Sequence, residues 1–189
     1  EYNMLVGRGI YNLFRGALPE GKKTDEMVMK MKDFFIPYYD RHKCDLTRPY
    51  DGIMDVLDRL TENGTALAVA SNKYQDGTEK LVRHFFGKYS FVKILGQRDG
   101  QPIKPDPEIV YEAMAAAGTA DKGKVIYVGD SDVDMLTGRN AGVRTVGVTW
   151  GFRTREELES CSPWRIATDA EDLASILTGA DAGQTGNDI

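Results

Sequence analysis

From residue 51 onward, short apolar runs alternate with segments whose apolar positions recur every three or four residues. Asp51 to Asn63 predicts a helix with Ile53, Val56, Leu57 and Leu60 on one face, and Asn63-Gly64 supplies its stop. Ala66 to Ala70 is apolar throughout and predicts a strand. A helix over Tyr74 to Phe86 and a second strand over Phe91 to Leu95 follow. Pro107 to Ala117 reads as a helix stopped by Gly118, and Val125 to Val128 as a third strand. Asp132 to Ala141 is a helix stopped by Gly142, and Thr145 to Val148 a fourth strand. Thr154–Ser160 and Ala170–Leu177 are short helices around a candidate fifth strand at Trp164–Ala167. Short apolar strands separated by helices predict an α/β fold: a doubly wound, Rossmann-like parallel sheet covered on both faces.

Residues 1–46 differ in texture. They hold no strand-like run, and Val28, Met31, Phe35 and Tyr38 recur at helical spacing. Met29, Phe34 and Tyr39 widen that apolar surface, which predicts packing on more than one neighbour. Pro37 is expected to kink or end the helix, and Thr24 or Asp25 to cap its start. The organisation expected is therefore a small helical element over 1–46, a core over 47–178, and a disordered tail over 179–189.

Composition narrows the classes. In 189 residues, 41% are hydrophobic and 28% charged, as in globular domains. A net charge of −5 disfavours a sequence-independent nucleic-acid binder, which needs a basic surface. No run approaches the roughly 18 apolar residues of a membrane span. Cys44 and Cys161 lack metal-ligand spacing and fit reduced thiols of a cytoplasmic protein. His42 and His84 have no ligand partner at helical spacing.

In doubly wound sheets, ligands bind at the carboxyl ends of the strands. Ser71-Asn72-Lys73 follows the first strand, and Gly129-Asp130-Ser131-Asp132-Val133-Asp134 follows the third. Between them, Lys104-Pro105-Asp106-Pro107 precedes a helix. A hydroxyl with backbone N–H groups suits phosphate oxygens. A lysine offsets phosphoryl charge, and hard carboxylate oxygens suit Mg²⁺. Each piece also has a plainer use: Ser71 and Ser131 as helix caps, Lys104 as a solvated cation, Asp134 as a first-turn acid. Residues 130–134 imitate a calcium loop, but Met135 and Ala141 stand where that loop needs glycine and glutamate. Gly7-Arg8-Gly9 has neither a preceding strand nor a third glycine, so it is no dinucleotide loop.

Taken in order, Val69-Ala70-Ser71-Asn72-Lys73, Lys104-Pro105-Asp106-Pro107-Glu108 and Gly129-Asp130-Ser131-Asp132-Val133-Asp134 resemble the second, third and fourth motifs of the haloacid dehalogenase superfamily. Within it the chain is most similar to the phosphoglycolate phosphatase group. Asn140-Ala141-Gly142 continues the likeness. The helices before residue 46 resemble that group's mobile cap, and Arg48-Pro49-Tyr50-Asp51-Gly52 its return into the core.

The resemblance implies Mg²⁺-dependent hydrolysis of a small phosphorylated metabolite through an aspartyl-phosphate. It implies that Ser71 binds a phosphate oxygen with Asn72 nearby, and that Lys104 stabilises nucleophile and phosphoryl group. Asp130 becomes a metal ligand, and Asp134 supports the metal shell or orients Lys104. Arg8 is a candidate contact for a substrate carboxylate or phosphate. The partner expected is a small metabolite rather than nucleic acid or membrane, with the protein a monomer or homodimer. One departure is large. The group's first motif, an Asp-x-Asp after a central strand, is absent, since the only Asp-x-Asp here lies within 130–134. The chain opens on Glu1, and a piece of a longer protein is the expectation. The alternatives are a non-catalytic relative that binds a phosphate ligand or a protein partner, and a sugar-phosphate mutase.

Overall fold

The computed structural model describes residues 7–179; residues 180–189 of the expected tail lie outside them. The helical pair comes first, α1 (Ile10–Ala17) and α2 (Asp25–His42). The alternating part follows: α3 (Ile53–Glu62), β1 (Leu67–Tyr74), α4 (Gln75–Phe86), β2 (Phe91–Gln97), α5 (Glu108–Ala116), β3 (Ile126–Gly129), α6 (Asp132–Ala141), β4 (Arg144–Val148), α7 (Arg155–Ser160), β5 (Arg165–Ala167) and α8 (Ala170–Thr178). Every strand pair is parallel, in the orders β1-β2 and β3-β4-β5. Among the described residues no ladder joins β1 to β3.

Helices cover both faces, as apolar strands require. On one face Val146 and Val148 of β4 meet Val56 and Leu60 of α3 and Leu173 and Ile176 of α8. On the other, Thr145 approaches Gly138 of α6, and Gly147 approaches Leu158 of α7. A second cluster joins Leu95 of β2 to Ile109, Val110 and Met114 of α5 and Ala141 of α6. The helical pair has its own small core of Ile10, Phe14 and Val28, with Tyr74 of β1 packed against it. No helix among the described residues is long and apolar enough to cross a membrane.

Three local expectations change. α2 does not end at Pro37, one of the two outcomes expected there, but runs on to His42. Proline removes its own N–H from the ladder and crowds the carbonyl four residues back, yet the helix continues through it; Thr24 caps its start, accepting from the Met27 N–H at 3.2 Å. Met29, Phe34 and Tyr38 do not pack as that stripe predicted; they are exposed, and Phe34 retains 79% of its surface. Finally, β1 runs four residues past Ala70. Its register slips there, Ala70 opposing Leu95 and Tyr74 opposing Gln97. That bulge takes Ser71, Asn72 and Lys73 out of the ladder, so they are neither plain strand nor a cap for α4.

Candidate active site

The carboxyl ends of β1 and β3 meet at a buried ion pair. The Lys104 ammonium donates to Asp134 Oδ1 at 2.7 Å and to the Ala70 carbonyl of β1 at 3.1 Å. Both side chains retain 9% of their surface. The pair therefore ties the loop before α5, the end of β1 and the first turn of α6 together. Ser131 fixes the acid: its hydroxyl donates to Asp134 Oδ2 at 2.6 Å and accepts from the Asp134 N–H at 3.3 Å. Burial pushes the Asp134 carboxyl up, but the Lys104 charge and the Lys104 and Ser131 hydrogen bonds outweigh it, leaving the group below the usual range. Burial likewise opposes the Lys104 charge, and Tyr127 and Asp134 overcome it, holding the ammonium above the usual lysine range.

Asp130 is placed differently. Its Oδ2 accepts the Phe152 N–H at 2.9 Å, and burial, with the charge of Asp134 adding, raises its carboxyl above the ordinary value. Gly129 and Gly151 make this close packing feasible. A Cβ on Gly129 would overlap the Asp134 side chain, and one on Gly151 would overlap Asp130. A hard carboxylate oxygen fits Mg²⁺, and Asp130 is the residue that would hold it. Among the described residues, however, no group of three His, Cys, Asp or Glu side chains gathers around it.

Ser71 Oγ accepts the Lys73 N–H at 3.1 Å, and a hydroxyl that accepts one bond can still donate its own proton. The Asn72 amide turns to the protein itself. Its Nδ2 donates to the carbonyls of Gly7 and Lys104 at 2.8 and 3.0 Å, and its Oδ1 accepts the Lys104 N–H at 2.9 Å. Both amide hydrogens are spent, so none remains for a phosphate oxygen. Asn72 clamps the Lys104 loop, which Asn140 also holds through the Pro105 carbonyl at 2.9 Å. Arg8 is brought to the same end of the sheet, where it pairs with Asp132 at 3.0 Å and is half exposed.

Three contributors escaped the sequence reading. Tyr127 sits in the apolar run of β3, with its hydroxyl 3.4 Å from Asp134 Oδ1; burial and the Asp134 charge, against Lys104, push it up to about 12. Its hydroxyl is the one polar group in that run, which was the available signal. Arg153, buried beyond β4, reaches Asp132 Oδ1 at 3.2 Å. Its position after a strand end pointed to it. Tyr39 of α2 accepts from Lys73 at 2.7 Å, and nothing in the spacing of α2 distinguished it from its neighbours.

The chain is similar to several known proteins. Residues 1–148 match the haloacid dehalogenase-like hydrolase family. The phosphoglycolate phosphatase of Mannheimia succiniciproducens is 30% identical over 178 residues, covering 91% of this chain and 79% of that protein. The pyrophosphatase PpaX of Halalkalibacterium halodurans is 30% identical over 172 residues, covering 91% and 77%. The crystal structure of a predicted phosphoglycolate phosphatase from Haemophilus somnus superposes with a TM-score of 0.81 at 26% identity, covering 95% and 80%. With its parallel α/β core and its Lys104–Asp134 pair at the strand ends, the chain belongs to the haloacid dehalogenase-like hydrolase family.

Proposed function

We propose that this chain carries most of the site of a Mg²⁺-dependent phosphatase for small phosphorylated metabolites, working through an aspartyl-phosphate. The observation that carries the reading is the buried Lys104–Asp134 pair set between Ser71 and Asp130. An ammonium held charged in a dry site stabilises developing phosphoryl charge. Ser71 donates to a phosphate oxygen and fixes its orientation. Asp134 holds Lys104 in place and does not react, since Lys104 and Ser131 occupy its oxygens. The attacking carboxylate comes from outside residues 1–189, because the only Asp-x-Asp lies in 130–134 and its acids are engaged. That carboxylate bonds to phosphorus as the bond to the leaving oxygen breaks, and a water then takes the phosphoryl group. Bound at Asp130, Mg²⁺ would neutralise phosphoryl oxygens. The helical pair over 7–46 serves as the cap.

Phosphoglycolate and pyrophosphate, the substrates in the relatives' names, both carry a second anionic group a few bonds from phosphorus. We therefore take short ligands of that kind as the substrate class. The test is phosphate release from a panel of monoesters by a longer form of the protein that also carries an Asp-x-Asp after a strand. Mg²⁺-dependent release is expected, falling at least about 100-fold in Lys104→Met. No release by that protein would leave the second reading, a phosphate-binding relative without turnover, which the engaged state of all three carboxylates in 130–134 also suits.

A further inference from the structure

Lys73 stands where the end of β1 meets α2. Its backbone N–H is bound to Ser71 Oγ, so its chain is fixed beside the phosphate-binding hydroxyl. Its ammonium turns toward the helical pair. There it donates to the Tyr39 hydroxyl at 2.7 Å and lies 4.3 Å from the centre of the same ring.

The charges around the site separate Lys73 from its neighbours. Lys104 is neutralised by Asp134. Arg8 and Arg153 converge on Asp132. Lys73 forms no ion pair among the described residues; the Tyr39 hydroxyl takes one of its three N–H donors. The side chain is only partly exposed, so water compensates its charge incompletely. A tyrosine ring and a seam between elements steady such a cation without cancelling its charge. This is the arrangement of a cation kept for an anion that arrives from solution.

The geometry points to a specificity role. We propose that Lys73, seated by Tyr39, binds the second anionic group of a short ligand, a carboxylate or a second phosphate, while Ser71 and Lys104 hold the first phosphate. Tyr39 is the positioning residue, and it places part of substrate selection on α2. The inference rests on the phosphatase reading for the seat of the first phosphate. The expected span is short: the Lys73 N–H is bound to Ser71 Oγ, so a phosphate held at Ser71 starts within reach of one lysine side chain. Ligands with a long neutral spacer gain nothing from it.

The experiment is calorimetry with the 189-residue chain and Mg²⁺, titrating 2-phosphoglycolate, pyrophosphate and ethyl phosphate. The doubly anionic ligands are expected to bind at least about tenfold tighter than ethyl phosphate. Lys73→Met brings that ratio close to one, and Lys73→Arg restores most of it. Tyr39→Phe lowers the ratio in part. Circular dichroism confirms that each variant folds, and Lys73→Arg covers the case in which methionine disturbs the bulge. A ratio unchanged in Lys73→Met overturns the proposal while leaving the phosphate seat intact. Ethyl phosphate affinity insensitive to Ser71→Ala, or no binding of any ligand, overturns the seat and the proposal with it.

Discussion

Lys104 and Asp134 are worth most as a pair. Burying either alone leaves a charge that neither water nor a partner compensates. Lys104→Met is therefore expected to cost about 3–5 kcal/mol, measured by urea denaturation; a loss under about 1 kcal/mol would show the site to be wetter than its burial implies. The pH dependence follows from the two shifts. Asp134 is held below its ordinary value, so its contribution is complete above about pH 4 and lost as pH falls through the folded value. Lys104 is held above its ordinary value, so its contribution is complete below about pH 10 and lost only as pH rises through its folded value. Asp134→Asn should flatten the acid limb of the stability profile, and an unchanged limb would assign it to other carboxylates. These two residues were legible because motif order named them. The motif position of Asn72 carries no record of which hydrogen bonds its amide makes, so its hold on the Lys104 loop was not legible. Tyr127 and Arg153 each stood at a noticeable position, but their partners Asp134 and Asp132 lie on another element, and that meeting is set by the tertiary fold rather than by local pattern.

At the scale of elements, α2 is tied to the core by polar contacts as well as by its apolar stripe. Asp40 accepts from the Tyr74 hydroxyl at 2.6 Å and from the buried Lys43 at 3.1 Å, with Lys80 at 3.7 Å. Tyr39 takes Lys73. Burial opposes the Asp40 charge, yet the Tyr74 and Lys43 hydrogen bonds and the lysine charges keep its carboxyl below the ordinary range. Tyr74→Phe should loosen this end of α2. Amide exchange over residues 38–42 is expected to quicken by about tenfold or more, as loss of a hydrogen bond to a charged group implies, while β4 amides stay protected. Equal acceleration in β4 would mean that Tyr74 supports the whole fold instead. Helices and strands were readable from periodicity because their covered faces repeat. The extension of β1 was not, since Ser71-Asn72-Lys73 breaks the apolar run just where a bulge, rather than a strand end, takes over.

For the whole molecule, the parallel strands fall into two ladders whose helical cover is continuous. Leu67 of β1 and Val146 of β4 share one cluster, and Ala70 of β1 and Tyr127 of β3 share the other. Between them β1 and β3 each present an edge unpaired among the described residues. Ala68 and Val128 on these strands are exposed, unusual for strands in a covered parallel sheet. A longer protein whose preceding residues pair with both edges should unfold at least about 5 °C higher than residues 1–189; coincident midpoints would mean that the edges are satisfied already. The α/β class was legible because strand and helix alternate through the core. The division into two ladders is a matter of pairing between distant segments.

The most direct test compares Mg²⁺-dependent phosphate release by residues 1–189 with release by the longer protein under the same conditions. No turnover by residues 1–189 and clear turnover by the longer protein, abolished by Lys104→Met, is the expected result. Turnover by residues 1–189 alone would contradict the account, because the attacking carboxylate would then lie within these residues.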